Sequence, residues 1–197
     1  MKKPSKVRSG RPGGTTYVAL LRGVNVGTAK RVPMAAFRGL LGDLGYSEVA
    51  TLLNSGNAVF RAIGDGEADH ERRIAAALEA DVGVRVAVIV KTARVLAAIV
   101  DENPLRFDAA EASGCLVAFA RDQRALAALA DAERLVVPPE RFAIGANAAY
   151  VACPGGVRGC DAAKALLGPA GSDVTTRNWT TTCKLRVLAD RVDGGGT

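Results

Sequence analysis

The residues best suited to chemistry follow directly on an apolar run. Tyr17 to Gly27 reads YVALLRGVNVG, so a strand-like segment ends in Arg22, Gly23, Asn25 and Gly27. Such a junction sets a guanidinium and several backbone amides where the chain leaves its core, an arrangement suited to a phosphate or carboxylate. Asn54-Ser55-Gly56-Asn57 offers further short polar side chains in a turn. Thr175 to Lys184, TTRNWTTTCK, puts Arg177, Asn178 and the sole tryptophan, Trp179, at the start of a helix that Thr176 or Asn178 can cap. An arginine beside an indole can hold a flat anion by charge and stacking. The candidate ligand-binding set is therefore Arg22, Gly23, Asn25, Gly27, Ser55, Asn57, Arg177, Asn178 and Trp179. Each also has a plainer reading: glycines and asparagines as turn formers, Arg22 as a solvated strand end, Trp179 as a packing anchor.

Other chemistry is poorly served. RGVNVG is not a dinucleotide fingerprint, and no phosphate loop of the G-x-x-x-x-G-K-[ST] type occurs. Cys115, Cys153, Cys160 and Cys183 form no C-x-x-C pair and His70 is the only histidine, so no zinc cluster, metal or cofactor is expected. Cys153 and Cys160 flank a Gly-rich turn that could bring them together, although reduced thiols are the cytosolic default. Cys183 lacks a histidine partner because His70 reads as part of an acidic loop, so nucleophilic catalysis is not expected. Asp65 with Glu67, and Asp101 with Glu102, read as solvated pairs.

The elements that must position these groups follow from the spacing of apolar residues. Tyr17–Leu21 predicts a strand, and Pro33 opens a helix with Met34, Phe37, Leu40, Leu41 and Leu44 on one face. Val49–Leu53 and Ala58–Arg61 predict a hairpin, Glu67–Ala80 a helix, and Val84–Val90 a strand. A linking helix, Thr92–Glu102, stops at Asn103-Pro104. The same order then returns: strand Cys115–Ala120, helix Asp122–Ala132, and a hairpin of Arg141–Ile144 and Ala149–Ala152. A short helix to Leu167, an extended piece near Val174 and a terminal helix through Leu185 and Leu188 complete it. Asn57-Ala-Val-Phe60 matches Asn147-Ala-Ala-Tyr150 in position and type.

The expected class is α+β, a tandem duplication of two ferredoxin-like (β-α-β-β-α-β) subdomains. The expected divisions are a flexible basic tail over 1–14, a first subdomain over 15–91, a linking helix and loop over 92–113 and a second subdomain over 114–192. In that topology the end of the first strand, the hairpin turn and the start of the first helix share an edge. Arg22, Asn25, Ser55 and Asn57 should cluster there, with Lys30, Arg31 and Arg85 adding charge.

With 197 residues and 49% hydrophobic content the chain can bury a substantial core. Its formal charge of +6 is concentrated in Lys2, Lys3, Lys6, Arg8 and Arg11, which leaves the body near +1, so general polyanion affinity does not follow from pI. The basic start lacks a following apolar segment and no run is long enough to cross a bilayer, so a cytoplasmic protein without membrane contact is expected. The strands are apolar on both faces and aromatics make up 5%, which argues against an open sheet that stacks RNA bases.

ALLRGVNVG, RVPM, NSGN followed by AVF, and TTRNWTTTCKL together resemble the bacterial domain-of-unknown-function family DUF1697, over about Tyr17 to Asp190. Where the family commonly has Gln before Ser-Gly-Asn, this chain has Asn54. The resemblance implies a pair of ferredoxin-like subdomains and brings no reaction, cofactor or catalytic residue. The functional expectation is binding of a phosphate-bearing ligand, a nucleotide or nucleic acid, at the edge just described. An enzyme acting on such a ligand, or a protein interaction module using an open strand edge, are the alternatives. Oligomeric state stays open.

Overall fold

The computed structural model describes residues 14–27, 30–107, 111–112, 114–168 and 173–194. The basic tail expected over 1–14 therefore lies, apart from Gly14, outside the described residues.

The first strand, β1 (Thr15–Leu21), is central because both of its faces are apolar. Tyr17, Ala19 and Leu21 enter one core layer, whereas Val18 and Leu20 enter another, as the two-residue pleat requires. Each of Val18 to Leu21 is at most 1% exposed, and full burial of such side chains is worth roughly 1.5–3 kcal/mol each. β1 pairs antiparallel with β3 (Asn57–Ala62) on one side and with β4 (Val88–Thr92) on the other, and β3 pairs with β2 (Ser47–Leu52). The sheet order is β2-β3-β1-β4. The strand expected over Val84–Val90 begins later, at Val88, because its pairing register is set by Leu21 opposite Val88.

Two helices cover one face of this sheet. α1 (Met34–Asp43) starts after Pro33, whose missing N–H costs nothing at a helix start, and buries Phe37, Leu40 and Leu41. α2 (Glu67–Val82) buries His70, Glu71, Ile74 and Leu78 and ends at Gly83 in the left-handed conformation.

After α3 (Ala93–Asp101) the pattern recurs. β5 (Cys115–Ala120) pairs with β7 (Ala148–Ala152) and β8 (Val174–Asn178), and β6 (Arg141–Ile144) lies outside β7, giving the order β6-β7-β5-β8. α4 (Gln123–Ala127) and α5 (Asp161–Leu167) cover its outer face. The helix expected over Asp122–Ala132 is α only to Ala127 and tightens to a 3-10 segment, Ala128–Leu135. Three residues per turn aligns Leu126, Leu129 and Ala132, all of which pack in the outer layer.

The two sheets turn their remaining faces toward each other. Val18, Leu20, Val59 and Ile89 of the first and Val117, Phe119, Ala148 and Tyr150 of the second join one central layer. α3 contributes Leu96 and Ile99 to it, and α6 (Trp179–Gly194) contributes Leu185, Ala189 and Val192. α6 packs on β1 and β3 as well as on β5 and β8. This is a mixed α+β fold of two subdomains whose sheets have no bare face, which explains strands apolar on both sides. Among the described residues no helix is long and apolar enough to cross a membrane.

Candidate functional site

β8 positions the central group. Arg177 pairs across from Val117 and Thr175 from Phe119, so the pleat aims Arg177 and Thr175 into the layer facing the first subdomain. There the guanidinium meets the turns that end β1 and open β3. Nε donates to Asn57 Oδ1 at 2.5 Å, and Nη1 donates to Thr175 Oγ1 at 2.9 Å and to the Thr176 carbonyl at 2.7 Å. Nη2 donates to the carbonyls of Leu21 at 2.8 Å and Ser55 at 3.1 Å. All five N–H donors of the fork are used. None of these partners is a carboxylate, and the residue is only 8% exposed. Burial pulls its pKa down to about 10, so it stays cationic at neutral pH.

Arg22 runs the other way. Its backbone N–H continues the sheet to the Ala87 carbonyl at 2.9 Å, while its side chain leaves the first subdomain. Nη1 donates to the Val174 carbonyl at 2.7 Å and Nη2 to that of Gly168 at 2.5 Å, both in the second subdomain. Gly56 lets the turns close on each other: it sits at φ +71°, the Leu21 N–H donates to its carbonyl at 2.8 Å, and a Cβ there would lie 2.6 Å from Leu21 Cβ.

Beside these arginines the seam opens into a cleft of about 370 Å³. Arg22, Gly23, Ser55, Arg177, Asn178 and Thr181 line it with Thr175 and Thr176, and its apolar wall is Val24, Val26, Leu116, Leu166 and Val174. Among the described residues that line it there is no acid, histidine, lysine or cysteine. A smaller depression of about 250 Å³ also has two arginines, Arg61 and Arg73, but Arg73 is paired with Asp65 at 3.0 Å.

Five residues of the expected set, Arg22, Gly23, Ser55, Arg177 and Asn178, therefore meet at one cleft. The others do not join them there. Asn57 is fully buried behind Arg177, with its Nδ2 donating to the Leu52 carbonyl at 3.0 Å. Asn25 braces its own turn: its side chain donates to the carbonyls of Val32 at 2.9 Å and Asn54 at 2.6 Å and accepts from Val32 N–H at 2.9 Å. Asn25 and Gly27 line a separate depression of about 390 Å³ with Arg31, Pro33 and Asn54. The edge expected to be one site is thus divided, because the side chain of Asn25 is spent on folding its loop. Since Asn54 serves that brace through its carbonyl, its side-chain type does not enter the bond.

Trp179 packs in the central layer, edge-on to Phe107 at 5.3 Å, and does not line the cleft. Asn178 does cap α6, accepting from Thr181 N–H at 2.8 Å. Arg85 is engaged with Glu79 on the surface and takes no part. Thr181 and Leu166 are not singled out by the sequence, and Thr176 is marked there only as a helix cap. The run TTRNWTTT could have suggested the threonines, but nothing marks Leu166.

The sequence model of the family described as "Protein of unknown function (DUF1697)" matches residues 15–150. The chain belongs to this family. The DUF1697 match covers the first subdomain and runs to Tyr150 in β7, and it supplies no activity. The solved structure of a conserved bacterial protein from Streptococcus pneumoniae is similar, with a TM-score of 0.72 and 22% identity over 90% of this chain and 99% of that one. At that identity the likeness is one of fold. No curated protein matches the chain in sequence.

His70 is not in an acidic loop but inside α2, fully buried among Tyr17, Tyr46 and Phe60. Its Nδ1 shares a hydrogen bond with Tyr46 Oη at 2.9 Å, while Nε2 has no hydrogen-bond partner. Burial pushes its pKa below the ordinary value. At the other end of the seam, buried Glu71 accepts from Val90 N–H at 2.9 Å and from Arg121 Nη1 at 2.7 Å, tying α2 to the second subdomain.

Proposed function

We propose that the chain is a duplicated pair of ferredoxin-like subdomains and that the seam between them binds a small molecule carrying a phosphate or carboxylate. The duplication is supported by the shared sheet order, in which the third strand of each half lies between its first and second.

One observation carries the binding reading: Arg177 is a buried guanidinium whose hydrogen bonds all go to neutral acceptors, on the wall of a cleft with no acid among the described residues that line it. A buried cation without a counter-charge raises the potential of the space beside it, and that space favours an anion. Because the fork is saturated, Arg177 acts through its field. Direct hydrogen bonds would come from the hydroxyls of Ser55, Thr176 and Thr181.

The cleft's size falls in the range of small-molecule sites. The absence of a general base from its described lining supports binding over turnover. Helices on both sides of each sheet leave no platform for stacked bases, which supports a small molecule over a nucleic-acid strand.

Val26 lies on the rim and is 74% exposed, so it can be changed without loss to the core. Calorimetric titration with inorganic phosphate, adenosine monophosphate and hexanoate should detect at least one complex, weakened severalfold in Val26→Glu, and any inorganic phosphate complex should be weakened far less in Val26→Gln. Absence of heat with every anion would refute the proposal.

A further inference from the structure

Building on the anion cleft, we infer that its ligand has an aliphatic body attached to the anionic group and is not a nucleotide. Among the described residues, the apolar part of the lining is branched aliphatic: Val24 and Val26 from the first subdomain, Leu116, Leu166 and Val174 from the second. Four of these are themselves packed in the core, with exposures of 3%, 7%, 2% and 3% for Val24, Leu116, Leu166 and Val174, so this wall is rigid and already formed.

No aromatic residue is among the described residues that line the cleft. The indole nearest in sequence, Trp179, is turned into the central layer against Phe107. A purine or pyrimidine gains much of its binding energy from a ring platform and from groups that pair with its edge. Here the platform is missing. The Asn178 side-chain oxygen, one of the few groups that could read a base edge, caps α6 instead. What remains is a field from Arg177, a few hydroxyls and a branched aliphatic wall, which together fit a short-chain alkyl carboxylate or alkyl phosphate.

An aliphatic wall also makes a quantitative demand. Each buried methylene should tighten binding by roughly fourfold until the cleft of about 370 Å³ is filled. A flat wall of hydroxyls would give no such dependence.

The test is a titration series on the whole chain: acetate, butyrate, hexanoate and octanoate, with butyl phosphate to distinguish the head group, and inorganic phosphate and adenosine and uridine monophosphates as the competing class. Affinity should climb through the alkanoates by roughly that factor per methylene and level off, with both nucleotides weaker than hexanoate. Val26→Ser, at an exposed rim position, should weaken octanoate a fewfold and leave acetate unchanged. A series flat in chain length, or a nucleotide that outbinds every alkanoate, overturns the inference while leaving the anion reading in place. Failure of every anion, phosphate and nucleotides included, overturns both.

Discussion

Arg22 and Arg177 are exchanged across the seam between the subdomains. Arg22, at the end of β1, donates to the carbonyls of Val174 and Gly168, and Arg177, in β8, donates to those of Leu21 and Ser55. Each half is therefore held by a cation that the other supplies, and these bonds, like that from Arg177 Nε to Asn57 Oδ1, go to neutral oxygens rather than to carboxylates. Such a junction fixes the two turns and the start of α6 relative to one another, and the cleft is the space left beside them.

The two arginines should contribute unequally. Arg177→Met orphans several buried acceptors, at about 1–3 kcal/mol each, so a loss of about 3 kcal/mol or more is expected. Arg177→Lys should recover little, because a point charge cannot reproduce the planar fork. Arg22 is only half-buried, and Arg22→Met should cost about 1–2 kcal/mol. Urea unfolding of the three variants gives the comparison, and an Arg177→Met protein as stable as the parent would contradict the seam described here.

Gly56→Ala should be among the costlier glycine substitutions. It meets both a positive φ of +71° and the side chains of Leu21 and Val24 at 2.6 Å, whereas Gly64, at φ +69°, faces open space. About 1 kcal/mol is expected for Gly64→Ala from conformation alone, and about 2 kcal/mol more at Gly56 from the collision. Equal melting temperatures for the two variants would show that the turns are not closed as described.

Stability should fall on mild acidification because of His70. Burial lowers its folded pKa below 6.5, so the unfolded chain takes up a proton that the folded chain resists, and stability declines as pH drops through 6.5 until the folded pKa is passed. Asp65, Asp69 and Arg73 also act on the ring. Glu71 works in the opposite sense: burial raises its carboxyl above 4.5, so its contribution is complete below 4.5 and is lost as pH rises through the raised value. Unfolding free energies measured between pH 7 and pH 5 should be less pH-dependent in His70→Gln. The same slope in parent and variant would remove His70 as the cause.

The thiols should be slow toward an aromatic disulfide reagent. Cys115, Cys153 and Cys160 are buried and Cys183 is half-buried with its pKa raised by burial, so none has the exposed thiolate that reacts fast. All four should react at once in denaturant, and a fast native thiol would show that one of these positions is open.

Element order was legible because the strands alternate cleanly: Tyr17, Ala19 and Leu21 against Val18 and Leu20 already imply two covered faces. The cap of α6 was legible as Thr176 or Asn178, because capping depends on a short polar side chain at the helix start, and Asn178 is the one that caps. The helix expected over Glu67–Ala80 already contains His70, one and two helical turns before Ile74 and Leu78, and the acidic-loop reading of that residue does not agree with it. The fate of Arg177 was not legible. Its Nη2 partners across the seam, the Leu21 and Ser55 carbonyls, are backbone oxygens more than 120 residues away in sequence, and every residue has such an oxygen, so no side-chain type announces those bonds. Asn25 and Asn57 were expected at the site for their chemistry and are absent from the cleft because that chemistry is used within the fold.

The central claim, an anion held in the seam cleft, is tested most directly by backbone amide NMR shifts during separate titrations with inorganic phosphate and with hexanoate. Changes should concentrate at Gly23, Ser55, Thr176 and Thr181, saturate with a single affinity, and weaken in Val26→Glu. Saturating shifts confined instead to Arg31, Val32 and Met34 around the neighbouring depression, or no saturable shift with either anion, would contradict it.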